Sequence, residues 1–163
     1  MSASAPLRTG KNRRRALQAL IAAPLLALGI AAGSGTAHAS GPSTFTPAEI
    51  QLGNDHCSVS GWPGGTIYCG TSVGANFPNG TQEIFGTGLS GAVWTDWGTE
   101  AHPSGWKSMG APASGGCYAS QQLALTNFGD YGLILGCNDN FGNFYQNDRS
   151  YGQNGGWSGW YKP

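Results

Sequence analysis

Beyond residue 39 the chain is poor in positive charge. Only Lys107, Arg149 and Lys162 lie there against eight Asp and Glu, three minus eight, so this part carries about −5. A chain with so few cations cannot neutralise several phosphates of a nucleic-acid backbone at once, which excludes DNA and RNA as partners. Helical periodicity is missing as well. No window after residue 40 keeps its apolar residues at spacings of three and four for long enough to make an amphipathic helix. Cys-x-x-Cys is also absent, and His56 is the only histidine beside a cysteine, so the common zinc patterns do not arise.

Positive charge is concentrated at the start. Arg8, Lys11, Arg13, Arg14 and Arg15 precede the apolar run Ala16–Ala32, and Thr36-Ala37-His38-Ala39 supplies a small-x-small cleavage pattern. Residues 1–39 therefore read as a secretory signal peptide, with cleavage expected before Ser40 and a secreted, extracellular product. A membrane anchor would need about 20 apolar residues. This run is shorter and is interrupted by Pro24 and Gly29.

The remaining 124 residues are one domain by length and hold four cysteines, Cys57, Cys69, Cys117 and Cys137. An even count in an exported chain reads as disulfides, and four cysteines allow three pairings. The pairings closest in sequence, Cys57–Cys69 and Cys117–Cys137, are expected. Turn signals such as Asn-Gly, Gly-Asp and Pro-Gly break the chain about every ten residues. Strands are expected at Thr66–Val73, Gln82–Gly86, Ala92–Trp97, Gly105–Met109, Leu123–Asn127, Gly132–Cys137, Asn143–Asn147 and Gly156–Tyr161, an all-β pattern. Ser40–Cys57 reads as an extended lead-in, and His56–Trp62 as the tail of a repeat whose beginning is missing.

The glycines and aromatics recur in register. Gly91–Trp94 and Gly105–Trp106 are matched 51 residues later by Gly142–Tyr145 and Gly156–Trp157. Gly64-Gly65 answers to Gly115-Gly116 and Asn76-Phe77 to Asn127-Phe128, with one single-residue gap where Phe85-Gly86 meets Leu135-Gly136. The expected organisation is an N-terminal extended segment and partial repeat over 40–63, one β repeat over 64–114 and a second over 115–163. Each repeat carries four strands, and this is the periodicity of a sandwich, barrel or propeller.

This unit, closing on Gly-Trp-Ser-Gly-Trp, resembles the blades of bacterial secreted lectin-like propellers of the PLL and tectonin type. The resemblance spans roughly Gly64–Pro163. It implies tandem four-stranded antiparallel blades and a carbohydrate-binding role without catalysis; the stabilising disulfides are expected from the cysteines themselves, which do not align between the repeats. Propellers have about four to eight blades, because closing the ring protects the sheet edges. A chain with two blades would close such a ring as a homo-oligomer, or else adopt a different compact β fold.

Several local patterns suggest other chemistry. Gly70-Thr71-Ser72-Val73-Gly74 spells a nucleophile elbow, but no helix follows and His102 precedes Asp130, the reverse of the hydrolase order. Asp96 with Glu100, and Asp139 with Asp148, are acid pairs of the kind glycoside hydrolysis uses; in an acidic domain they also suit solvated loops. No enzyme activity is expected. Asn138, Asp139 and Asn140 are oxygen-rich enough to ligate calcium, though a stretch of this kind more often forms a turn.

The richest signal is aromatic. All six Trp, six Tyr and six Phe fall after residue 39. A sugar stacks its C–H face on an aromatic ring while neighbouring polar groups bond its hydroxyls. The loops Asp96–Glu100 and Asn147–Gln153 offer that mixture, which makes Trp94, Asp96, Trp97, Glu100, Tyr145, Asn147, Arg149, Tyr151, Trp157 and Trp160 the candidate ligand contacts. The repeated Trp106 and Trp157 also suit core packing. The expected partner is a glycan or cell-surface polysaccharide. The alternative is another secreted protein, for example a protease, met by the loop Ala101–Gly105 or Gly110–Gly115.

Overall fold

The computed structural model describes residues 43–127, 131–150 and 156–163. Residues 1–39, Phe128, Asp130, Tyr151, Gln153 and Asn154 lie outside them. Among the described residues there is no helix, and the fold is all-β and antiparallel.

The central sheet is built on a meander of β5 (Val73–Asn76), β6 (Gln82–Thr87) and β7 (Val93–Thr99). It is extended by β1 (Ser43–Phe45) on β5 and by the short β8 (His102–Pro103) and β9 (Lys107–Ser108), both on β7. A second sheet joins β2 (Glu49–Gly53), β3 (His56–Val59) and β4 (Trp62–Tyr68), and a third joins β10 (Ala124–Asn127), β11 (Leu133–Asn138) and β12 (Phe144–Arg149).

Alternation along β6 and β7 explains how the sheets stack. Successive side chains point to opposite faces of a strand, and Phe85 opposes Thr95 while Ile84 opposes Asp96. Phe85 and Val93 therefore face one way. They join Val73, Ala75 and Phe77 in a core with Cys117, Leu123, Leu133, Leu135 and Cys137 of the third sheet's side. Ile84 faces the other way, into a core of Cys57, Val59, Trp62 and Ile67. The central sheet is thus buried on both faces.

Cys57 is bonded to Cys69 and Cys117 to Cys137, as the spacing predicts. Each bridge belongs to one of the two cores.

The meanders β5-β6-β7 and β10-β11-β12 share one register at an offset of 51 without the expected one-residue gap, so that Phe85 answers to Gly136 and not to Leu135. Val73↔Phe85 corresponds to Ala124↔Gly136, and Gln82↔Gly98 to Leu133↔Arg149. Their hairpins match too. Gly88 N–H donates to Ala92 O at 2.8 Å and Asp139 N–H to Asn143 O at 2.9 Å, with Gly91 at φ 78° and Gly142 at φ 80°. Those positive angles are open to glycine and strained for other residues.

Elsewhere the chain departs from the expected strands. The stretch Thr66–Val73 is broken by a turn after Tyr68, where Glu49 accepts hydrogen bonds from the N–H groups of Gly70 (2.6 Å) and Ser72 (3.2 Å). The supposed lead-in carries β1 and β2, because Ser43–Phe45 finds its partner 29 to 33 residues on, in β5, and Glu49–Gly53 pairs with β3. Gly156–Tyr161 is not a strand. It meets β12 through two isolated bridges, Arg149↔Trp157 and Gln146↔Tyr161. Among the described residues of the second half, four paired strands are therefore not observed.

Candidate functional site

The face of β7 that carries Thr95 and Trp97 looks across a groove of about 710 Å³ toward β12 and the C-terminal segment. Register brings Glu83 opposite Trp97. β12 contributes Asn147 and Arg149, β9 contributes Lys107, and Trp157 and Gly159 close the far side.

Arg149 organises the inner end. Its Nε donates to Tyr131 O at 2.9 Å, and its Nη1 pairs with the Glu83 carboxylate. The guanidinium lies 5.0 Å from the Phe77 ring and 5.2 Å from the Trp157 ring, contacts worth about 0.5–2 kcal/mol each when desolvated. Phe77 stacks on Tyr131 at 5.3 Å, and Trp157 meets Phe85 edge-on at 5.7 Å. Thr95 Oγ1 donates to Glu83 at 3.0 Å. Burial pushes the Glu83 carboxyl above the usual range; the charge of Arg149 and the hydrogen bonds from Arg149 and Thr95 oppose that rise without cancelling it. Arg149 Nη2 is buried and has no partner among the described residues.

The outer end is wetter. Trp97 is 40% exposed, and the Lys107 ammonium sits 4.3 Å above its ring. Asn147 is buried, and its Oδ1 accepts from Gly159 N–H at 3.0 Å, fastening the C-terminal segment to β12.

Four expected contacts, Trp97, Asn147, Arg149 and Trp157, therefore meet in this groove. Trp94 points to the opposite face of β7 and lines a separate groove of about 530 Å³ with Trp106 and Leu89. Asp96 is fully buried on that opposite face, accepting from Ser104 Oγ at 3.0 Å. Glu100 lies against Gly61, Tyr145 pairs with Cys137 in the third sheet, and Trp160 donates its Nε1 to Met109 O at 3.1 Å. None of these four lines either groove. Tyr151 lies outside the described residues. Sequence reading missed Phe77, Glu83, Lys107 and Tyr131. One signal was available: Lys107 and Arg149 are two of only three cations after residue 39.

At the suggested calcium ligands, Asp139 accepts from the N–H groups of Phe141 and Asn143 at 2.8 Å each and from Asn143 Nδ2 at 2.9 Å. Desolvation acts to raise its pKa. The hydrogen bonds from the Asn143 side chain and the two backbone N–H groups outweigh it and hold the carboxyl at about 2. Asn138 Nδ2 donates to Gln121 Oε1 at 2.9 Å. A cation here would have to displace the bonds that close the β11–β12 turn. Among the described residues, the one three-membered group of metal-ligand type is Glu49 with Cys57 and Cys69, and those cysteines are disulfide-bonded. Ser72 of the elbow-like motif is buried, with its hydroxyl bonded to Glu49.

No family model, curated protein or solved structure matches the chain.

Proposed function

We propose that this protein is a secreted, non-catalytic carbohydrate-binding module whose sugar site is the groove between β7 and β12. The observation that carries the reading is the convergence of Trp97, Phe77, Tyr131 and Trp157 with Lys107 and Arg149 in one open cleft. Ring faces beside charged and amide groups match the two sides of a pyranose, its C–H face and its hydroxyls. A groove of about 710 Å³ is also the right size for a short stretch of glycan.

The wider architecture is proposed with it. The meanders β5-β6-β7 and β10-β11-β12, equal in register at an offset of 51, are read as duplicated blades of a propeller-like fold, completed by association of chains. Two disulfides suit an extracellular setting. The protease-binding alternative draws no support from Ala101–Gly105, since β8 and the Ser104–Asp96 hydrogen bond tie that loop to β7.

Screening the mature protein against a glycan array and insoluble polysaccharides tests the reading. Trp97→Ala removes an exposed ring and should abolish retention on the best ligand while leaving the melting temperature within a few degrees. Absence of binding to every polysaccharide would refute a carbohydrate-binding role.

A further inference from the structure

We infer that the groove between β7 and β12 takes an anionic sugar, a uronate-type unit whose carboxylate meets Lys107. The inference rests on the carbohydrate-binding reading and narrows it to a chemical class.

Charge is the first ground. The chain after residue 39 carries about −5, three cations against eight acids, yet two of the three cations line this one groove. The third, Lys162, donates to Asn143 at 3.0 Å and is not among the lining residues. Glu83 is the one carboxylate among the described lining residues, and it is engaged by Arg149 and Thr95. Pairing Glu83 with Arg149 leaves the charge of Lys107 uncompensated within the cleft. An acidic domain with a single cationic cleft repels a polyanion everywhere else, so attraction is confined to that site.

Geometry is the second ground. Lys107 is exposed, has no carboxylate partner among the described residues, and stands 4.3 Å over the Trp97 ring. A pyranose stacked on Trp97 presents its C5 substituent at the ring edge. In a neutral hexose that group is a hydroxymethyl, and in a uronate it is a carboxylate. The ammonium covers one face of the indole, so a sugar stacking there would displace it toward the ring edge, where the exposed Lys107 side chain can pair with the group that distinguishes the two sugars. Deeper in the cleft, Arg149 has used Nε and Nη1 on the protein, while Nη2 has no acceptor among the described residues.

The experiment compares retention of the mature protein on polygalacturonate and on the same polymer with its carboxyl groups reduced, in buffer free of divalent cations. The wild type should bind the acidic polymer on the order of tenfold more tightly, with the gap closing as salt is added. Lys107→Gln, a surface change, should lower acidic binding to the level of the reduced polymer, and Lys107→Arg should restore most of it. Equal binding to both polymers, or preference for a neutral polysaccharide, overturns the inference and leaves the carbohydrate reading standing. Undiminished acidic binding by Lys107→Gln overturns it too. Failure on these polymers and on every other polysaccharide removes both.

Discussion

At the scale of single residues, the groove depends on one buried ion pair. Side-chain exposure is 13% for Arg149 and 4% for Glu83, so neither charge is solvated well enough to stand alone. Removing one partner of such a pair costs about 3–5 kcal/mol, whereas replacing both by apolar groups of similar volume is often neutral. Arg149→Met should accordingly destabilise strongly, and adding Glu83→Met should recover most of the loss. A double-mutant cycle on urea midpoints would show it; additive losses would mean that the pair is uncoupled. Acid titration separates two other effects. Asp139, held at about 2 when folded, gives stability that is complete above the ordinary Asp range, near 3.9, and is lost as pH falls toward 2. Glu83 works with the opposite sign: its raised carboxyl takes up a proton on folding, so its contribution declines as pH rises from the ordinary Glu range through the raised value. Asp139→Asn should therefore flatten the loss of stability between pH 4 and 2, measured as the urea midpoint against pH.

At the scale of elements, two hairpins of one shape sit in different surroundings. A Cβ on Gly142 would meet nothing within 4 Å, whereas one on Gly91 would lie 3.1 Å from the Cα of Gly116. Gly142→Ala should therefore cost only the left-handed strain, about 1–2 kcal/mol. Gly91→Ala should cost more, because the contact that brings Cys117 N–H to Gly91 O at 2.8 Å must also open. Thermal melts of the two variants would show the order. The same contrast explains what sequence could tell. Alternation through Ala92–Trp97 and the near spacing of the cysteines are local signals, and both led to the right element. The partner of β1 lies across the fold in β5, and a residue such as Phe45 carries no mark of it. Trp106 and Trp157 hold equivalent places in the 51-residue pattern, yet Trp106 is seated on Gly65 with its Nε1 bonded to Trp62 O, while Trp157 lines the groove. Residue type and period announce an aromatic there. The opposing surface decides whether it is wall or floor.

At the scale of the whole molecule, the sequence makes the loops Asp96–Glu100 and Asn147–Gln153 the place to look for function. The groove instead draws on both kinds of position, the repeated Trp157 and the unrepeated Trp97, Lys107 and Arg149. Lys107 escaped notice because its significance is collective, shared with Arg149. Lys107 and Arg149 are 42 residues apart in the chain and become neighbours of one cleft only once β9 and β12 are in place. If the meanders are blades, a ring needs more of them than one chain carries. Native mass spectrometry of the mature protein should then find a dimer or trimer, and a monomer at micromolar concentration would end the propeller reading.

Ile84 and Phe85 are consecutive in β6, both entirely buried, and each belongs to a different core. One peptide unit thus joins two apolar clusters on opposite faces of the sheet. Loss of either should release the other, so heating should give one transition whose calorimetric and van't Hoff enthalpies agree. The slowest-exchanging amide hydrogens should fall in β6, at the free energy of global unfolding. Ile84→Ala and Phe85→Ala, although they open cavities on opposite sides of the sheet, should lower that single midpoint together.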